Sequence, residues 1–478
     1  MRVVLLPLLY RVQCTVRFVM DRGLPILHRF FNMNTFFRIS ERGSTVGREC
    51  LAGCVTFMAM AYILCVQPAI MSGQMFGMDT GMSVGALITT TCLAAAFGSL
   101  LMGLWANYPI GLAPGMGENI FVVLTAMPMC AVVLGLQVGE QEVWQLALGT
   151  VFISGVLFAI LSFLNVRKIL IDAISPSLRG GIATGIGLFI ALIGLQHAGI
   201  VVCENQLYVL GPLTTAKSFV FFAGLIVTGA LLMLRFRGAL LYGIIVAALF
   251  AALLGQITLV SPFGVPADPR PLIGQANVSG VFQYSALLPL VIILTFMVMF
   301  DTLGTVVAVG TRAGLIKDGV FPNVERVFVT DATATVVGAA MGHSTTTAYV
   351  ESAAGVESGG RTGLAAVVTA LCFLAAMFFG PFIEMIGNYQ PITAAALVVV
   401  GALMTQSASQ IDWDDYSESI PAFLLMVGIP FSYSIANGLL LGLIAYPLIK
   451  LLSGRGRSIH SVLYLLAILL LLYALFLK

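Results

Sequence analysis

Charge is what this sequence has least of. Among 478 residues there are 23 Lys and Arg and 21 Asp and Glu, so charged residues make up only 9% of the chain. A soluble core of this size would not exclude charge so thoroughly. The basic residues are dispersed between apolar segments, and with a net charge of only +2 they form no patch for nucleic acid. There are four histidines, none at ligand spacing, and eight cysteines (14, 50, 54, 65, 92, 130, 203, 372) without a CxxC pair. That excludes a recognisable metal or disulfide framework and leaves the cysteines as small core residues. No cofactor is implied. GIATGIG (181–187) resembles a nucleotide loop only superficially: it follows no strand, and Gly181 and Gly185 have the small-xxx-small spacing of close helix packing. Residues 1–37 are basic and amphipathic but lack the small-residue cleavage pattern of a signal peptide. They read as a peripheral helix, or as lying upstream of a start at Met33.

What is abundant is apolar sequence. Hydrophobic residues make up 59% of the chain and the mean hydropathy is +1.03, with many runs near the ~20 residues that cross a bilayer. The expected spans are 50–72, 82–105, 117–135, 143–164, 180–199, 217–235 and 238–257, then 284–310, 326–341, 349–358, 363–380, 391–407, 419–433 and 434–452. The reading is an all-α polytopic membrane protein of about 14 transmembrane segments. Basic residues support the threading, because cytoplasmic loops are enriched in Lys and Arg. Arg38, Arg42 and Arg48; Arg167, Lys168 and Arg179; Arg235 and Arg237; Arg312, Lys317 and Arg326; Arg361; and Lys450, Arg455 and Arg457 all fall on one side, with the amino terminus. Asp79, Glu140, Glu142, Glu204 and Glu384 fall on the other, where Lys217 and Arg270 are exceptions; the acidic IDWDD (411–415) lands inside. The segment 459–477 is apolar enough to add one more helix.

Thr56-Phe57-Met58-Ala59-Met60 in the first span is echoed by Thr295-Phe296-Met297-Val298-Met299 in the eighth. An odd number of spans separates them, so the halves run in opposite directions, a 7+7 inverted repeat. The chain then divides into a basic extension (1–45), a first repeat (46–257), an extracellular loop (258–283), a second repeat (284–452) and a hydrophobic tail (453–478). The span at 349–358 is too short to cross alone. Its counterpart is APGMGEN (113–119), where Gly111, Pro114, Gly115 and Gly117 oppose helix until about Glu118 or Asn119. In the second half, Thr345, Thr346, Thr347 and Tyr349 favour an extended run that turns helical near Glu351. Spans 3 and 10 are therefore expected to be broken, with half-helix amino termini meeting in a polar pocket.

Two carboxylates sit in apolar stretches, Asp301 in LTFMVMFDTLGT and Glu351 in STTTAYVESAAG. An ionisable group at membrane depth costs roughly 2.5 to 3.5 kcal/mol by insertion scales, and so marks a functional site. PIGLAPGMGEN, FDTLGT, TTTAYVESAAGVESGGRTGL, IDWDD and PFSYSIANG, in consistent order from about residue 36 to 452, resemble the AzgA-like purine permeases of the nucleobase/cation symporter family, which have the uracil-permease fold. The resemblance implies proton-coupled uptake of hypoxanthine, guanine or adenine. It also implies a core domain of spans 1–4 and 8–11, a gate domain of spans 5–7 and 12–14, and a homodimer through the gate. The family's site residues fall on Asn119, Asp301 and Glu351. Glu118 departs from the family, where this position is often apolar; it either joins the pocket or faces the cytoplasmic vestibule.

Physical chemistry gives these residues separate roles. A carboxylate can accept two N–H bonds from a purine as a flat bidentate partner, which suits Glu351 at a half-helix start. Asp301, desolvated one helix away, suits exchange of a proton on each cycle, and the two acids together carry the coupling. Asn119 offers both a donor and an acceptor. Thr346 and Thr347 line the pocket, and Phe300 either stacks on the base or packs in the core. Thr305, one turn beyond Asp301, either orients its carboxylate or bonds back to its own helix. His343 either tunes the external mouth or faces solvent in a loop. The protein expected is a multi-pass symporter in the plasma membrane of a bacterium, its inner membrane, with purine base, proton and lipid as partners. Alternatives are a carrier of the same fold for another nucleobase or an anion, which two buried acids oppose, and an aspartate-rich membrane enzyme using Asp412, Asp414 and Asp415. The enzyme would need a second acidic cluster, and the sequence has none.

Overall fold

The computed structural model describes residues 33–163, 175–204, 207–315 and 324–456, with a few residues of 459–471. Most of the tail segment 459–477, the extension 1–32 and the loop residues Arg167, Lys168, Asp172 and Lys317 lie outside the described residues. Helix α1 (Val46–Met60) breaks at Ala61 and Tyr62 and continues as α2 (Ile63–Met71). There follow α3 (Val84–Leu101), strand β1 (Leu112–Pro114), α4 (Met116–Leu134) and α5 (Gln141–Phe163). After α6 (Pro176–His197) comes an unexpected hairpin, β2 (Val201–Glu204) with β3 (Leu207–Leu210), then α7 (Ala216–Met233) and α8 (Ala239–Leu253).

The second half begins with α9 (Leu288–Arg312), α10 (Val324–Ala340), β4 (Thr346–Ala348), α11 (Ser352–Glu357) and α12 (Gly363–Ala376). It closes with α13 (Pro391–Met404), α14 (Tyr416–Phe431) and α15 (Ile435–Leu452). Nine helices among the described residues are long and apolar enough to cross a membrane, which makes this a helical, multi-pass membrane protein. The all-α expectation is corrected in one respect, since two small antiparallel sheets are present.

The helices pack as two groups. In one, α1 and α3 pack on α12, and α5 packs on α9 and α10; in the other, α6 packs on α13 and α14, with α7 between α8 and α13. Small residues permit the closest approaches. A Cβ on Gly181 or Gly185 would fall 2.7 Å from the carbonyl of Ala422 or Leu425, so α6 and α14 touch backbone to backbone. Cys65, Cys92 and Cys130 are buried, whereas Cys54 and Cys203 are exposed. The stretch 258–283 binds one end of the first group through Gly264 N–H to the Phe378 carbonyl, Gly274 N–H to Ala340 and Asn277 N–H to Gln145.

The acidic IDWDD segment is structural here. Asp412 Oδ1 accepts the amides of Asp414 and Asp415, and Asp415 caps α14 through the Ser417 amide at 2.9 Å. Lys450, on α15, reaches Glu418 at 2.8 Å and Asp415 at 3.8 Å, and Arg455 reaches Asp415 at 2.8 Å. Asp412 and Asp415 thus order the turn and the start of α14, and two cations stand beside the segment.

Candidate functional site

The two broken spans meet as a two-stranded antiparallel sheet, with Leu112 opposite Ala348, Ala113 opposite Thr347 and Pro114 opposite Thr346. The ladder extends through Gly115 N–H to Thr345 O and Tyr349 N–H to Gly111 O, both 3.1 Å. A sheet this short deep in an apolar bundle must have its outer edges satisfied. One hydroxyl does so on each side. Ser99 Oγ of α3 accepts from Leu112 N at 2.8 Å and donates to Leu112 O at 3.1 Å. Thr335 Oγ1 of α10 accepts from Thr346 N at 3.3 Å and donates to Thr346 O at 3.0 Å. The second helix of each half thus closes the strand of its own half in the same way.

Helix α4 starts earlier than the glycines suggest, at Met116, because Gly115 takes the extended N-cap conformation (φ −70°, ψ 123°) and Gly117 is absorbed into the first turn. Glu118 therefore stands three residues past the cap, and its carboxyl folds back against Gly115, as a capping-box acid does. It is 4% exposed, which excludes the reading in which it faces a vestibule. Farther on, the helix widens into π turns at Val122–Ala126, a distortion frequent at functional sites. In the second half, Glu351 occupies the N-cap position of α11 but its side chain does not cap the helix. It accepts instead from Tyr62 Oη at 2.8 Å, across 289 residues of sequence. Reciprocally, Tyr349 Oη donates to the carbonyl of Pro114.

Asp301 lies at mid-length of α9. Its Oδ2 accepts from Thr347 Oγ1 at 3.3 Å, and it is close enough to Glu351 and Glu118 to interact with both. Asp301 is exposed and Glu351 half-buried, with Val350 49% exposed beside them. Behind this open side, Glu118, Asn119, Thr346 and Thr347 are buried. Asn119 does not face the open space: its Nδ2 donates to Gln67 Oε1, and its Oδ1 has no partner. Thr347 joins Asp301 to Thr302 (3.3 Å), while Thr346 Oγ1 is unpartnered. The hydroxyl on Asp301 is thus Thr347 and not Thr305, which is buried lower on the same helix. The side chain of Phe300 lies outside the described residues. His343 corrects the solvent-facing reading. It is fully buried with neither ring nitrogen bonded, because Gly338 leaves room beneath it and Leu272 of the 258–283 stretch packs over Gly342.

Three residues at the centre were not anticipated. Tyr62 lies in the break of the first span and Gln67 in α2 just beyond it. Asp331, a fully buried acid near Asp301, accepts from Thr302 Oγ1 through Oδ2 and leaves Oδ1 unpaired. Asp331 carried the signal that revealed Asp301, an acid in the apolar run VFVTDATATVV, inside the expected span 326–341, and that signal was passed over. Among the described residues, no Lys or Arg forms an ion pair or hydrogen bond with any of these acids. Between the two helix groups an apolar seam is lined by Ile70, Met75, Met116 and Ile120 on one side and Ile190, Ile193 and Leu397 on the other.

Residues 47–440 match the model of the family described as Permease family. The chain belongs to that permease family. A putative permease of Methanocaldococcus jannaschii is 43% identical over 440 residues, covering 91% of this chain and 96% of the relative. The guanine/hypoxanthine permease PbuG of Bacillus subtilis is 39% identical, covering 93% of this chain and all of its own. The adenine permease AdeQ of Escherichia coli is 37% identical, covering 90% and 93%. Among solved structures, the transmembrane domain of the cyanobacterial bicarbonate transporter BicA superposes with a TM-score of 0.56 at 15% identity, over 83% of this permease and 97% of that chain. That likeness concerns the fold.

Proposed function

We propose that this permease takes up purine nucleobases together with a proton across the plasma membrane, with hypoxanthine and guanine favoured and adenine also a candidate. The observation that carries the reading is the base-free carboxylate pair. Glu351 is held by a tyrosine hydroxyl and Asp301 by a threonine hydroxyl, beside the crossing of two broken spans, with Glu351 half-buried and Asp301 exposed. An unpaired carboxylate there accepts N–H groups of a neutral base and repels an anion. The kinship with guanine/hypoxanthine and adenine permeases supports the same substrate class.

In this reading Glu351 accepts the base, with Asn119, Thr346, Thr347 and Phe300 around it. Asp301 and Glu351 share the transported proton, and Glu118, Thr305 and His343 modulate the site from behind. Cytoplasmic amino terminus, bacterial inner membrane, 14 spans in a 7+7 inverted repeat and a homodimer complete it. The matched roles of Ser99 and Thr335 support the repeat. The group containing α1, α3, α5, α9, α10 and α12 is the core, and the group containing α6, α7, α13 and α14 is the gate. The core moves against the gate along the apolar seam, where few directional bonds must break.

Uptake of radiolabelled hypoxanthine, competed by unlabelled guanine, adenine, xanthine and uracil, tests this. Purines are expected to compete and uracil not. Uptake should collapse with a protonophore and survive replacement of sodium; sodium-dependent, protonophore-insensitive uptake would overturn the coupling.

A further inference from the structure

Asp301 and Asp331 are joined by an unbroken line of oxygens. Asp301 Oδ2 lies 3.3 Å from Thr347 Oγ1, Thr347 Oγ1 lies 3.3 Å from Thr302 Oγ1, and Thr302 Oγ1 bonds Asp331 Oδ2. The line starts at an exposed acid and ends at a fully buried one, with both threonines buried between them. Three links need three protons. Each hydroxyl brings one, so the two threonines supply two and an acid must bring the third. The Val298 carbonyl, 2.8 Å from Thr302 Oγ1, competes for the Thr302 proton and deepens the shortage.

The third proton fits at either end. With it on Asp331, every bond points toward Asp301: Asp331 donates to Thr302, Thr302 to Thr347 and Thr347 to the Asp301 carboxylate. With it on Asp301, all three bonds point the other way. Passing between the two breaks three O–H bonds and forms three, each threonine giving one proton and taking one, so the net change is one proton moved between the acids. Burial favours the first arrangement. Asp331 Oδ1 has no hydrogen-bond partner, the groups within reach of the carboxyl are the Ala348 amide, Asp301 and Glu118, and no cation faces it among the described residues. A charge therefore costs less on exposed Asp301. The Ala348 amide does not itself call for an acid, since two residues earlier on β4 a hydroxyl, Thr335, serves Thr346. What a hydroxyl cannot do is store a proton.

Resting on the proton-coupled reading above, we propose that Asp331 is a buried proton site, filled from Asp301 through Thr347 and Thr302, which keeps the proton from water on both sides while the core moves. Asp301 takes a proton from solvent and the line reverses. Asp301 is then a carboxylate again, beside Glu351, when the base is held. The opposite reversal returns the proton to Asp301 for release.

The experiment compares two rates in proteoliposomes: uptake of radiolabelled hypoxanthine driven by a pH gradient, and exchange of labelled for unlabelled hypoxanthine without one. The proteins are the wild type, Thr302→Val, Thr302→Ser, Asp331→Asn and the double variant Thr302→Val with Asp331→Asn, each at a measured reconstituted level. A positioned proton transfer contributes roughly 10²–10⁴-fold to a rate, so in Thr302→Val and in Asp331→Asn the driven rate should fall at least about tenfold further than exchange does. Thr302→Ser keeps the hydroxyl and should keep the wild-type ratio of the two rates. The double variant should fall no further than the worse single one, because both changes cut the same line. An unchanged ratio in Asp331→Asn, equal loss of both rates, a loss in Thr302→Ser as large as in Thr302→Val, or additive losses in the double variant overturns the inference while leaving purine transport intact. If Thr302→Val does not reach the membrane, Asp331→Asn against Thr302→Ser decides by the same ratio. A wild type that exchanges hypoxanthine but ignores the pH gradient fails the proton coupling on which this rests, and one that carries no purine fails the broader reading.

Discussion

Two clusters of acids in this protein are built on opposite principles. At the edge of α14 and α15, Asp415 and Glu418 are matched by cations: Lys450 lies 2.8 Å from Glu418, Arg455 lies 2.8 Å from Asp415, and Ser175 and Tyr446 donate to Glu418 at 2.6 and 2.9 Å. At the crossing of the broken spans, Asp301, Glu351, Glu118 and Asp331 are met by hydroxyls and by one another. A carboxylate neutralised by a buried ammonium is committed, since taking either partner away leaves an uncompensated charge. One held only by hydroxyls keeps acceptor capacity and can carry a proton or an N–H donor from outside. The first cluster fastens helices together, and the second is available for exchange.

Removing a charge from each cluster separates the two roles. Glu351→Gln takes away the bidentate acceptor, and with hydrogen bonds to charged groups worth about 1.5–3 kcal/mol each, uptake should fall at least about 100-fold at normal membrane abundance. Retained affinity and uptake would dissolve the comparison. Asp301→Asn should abolish accumulation against a gradient while leaving substrate exchange measurable in proteoliposomes; accumulation that persisted under a pH gradient would take Asp301 out of coupling.

In the paired cluster, Lys450→Met should act on stability and not on selectivity. Lys450 is 6% exposed, and stripping one partner from a buried pair costs about 3–5 kcal/mol. Thermal unfolding in detergent should move down sharply, while the ranking of competing bases in the surviving protein stays as in the wild type. A changed ranking would mean that the two clusters are not separable.

The next effect is smaller and lies within the exchangeable cluster. Tyr62→Phe keeps the ring and deletes the hydroxyl on Glu351, leaving the carboxylate to settle in other rotamers. About a tenfold rise in KM is expected with much less change in maximal rate, in line with one charge-assisted hydrogen bond. Equal loss in both parameters, with reduced protein in the membrane, would make Tyr62 a packing residue only.

How far the sequence revealed this contrast follows from what each residue type announces. The breaks were legible because Pro114 and the glycines around it cannot sustain a helix and a run of threonines favours strand. Asp301 and Glu351 were legible because a charge in an apolar run has few innocent explanations. Tyr62 and Gln67 were not, because their partners lie 289 and 52 residues away and nothing local in AYILCVQPA advertises a bond. His343 was misjudged for the same reason: a histidine beside glycine reads as loop, and only the packing of the 258–283 stretch over Gly342 buries it. Even the start of α4 depended on one backbone conformation at Gly115, which composition does not specify.

The smallest expected effect belongs to the exposed rim of the paired cluster and depends on pH. Asp415 is held below the usual carboxylate range by the Ser417 hydroxyl, then the Ser417 amide, then Lys450 and Arg455. A carboxyl depressed in the folded protein contributes stability above its unfolded value of about 3.9, and that contribution is lost as pH falls through its folded value. Asp415→Asn should therefore lower the thermal midpoint by a nearly constant small amount at neutral pH, and the gap from the wild type should close progressively below about pH 4. Protonation then removes from the wild type what the substitution removed from the variant. A gap that stayed constant down to pH 2 would mean that Asp415 serves the cap through its hydrogen bonds alone, with no part of its worth coming from charge; the cation-matched character of this cluster would then reside in Lys450 and Glu418.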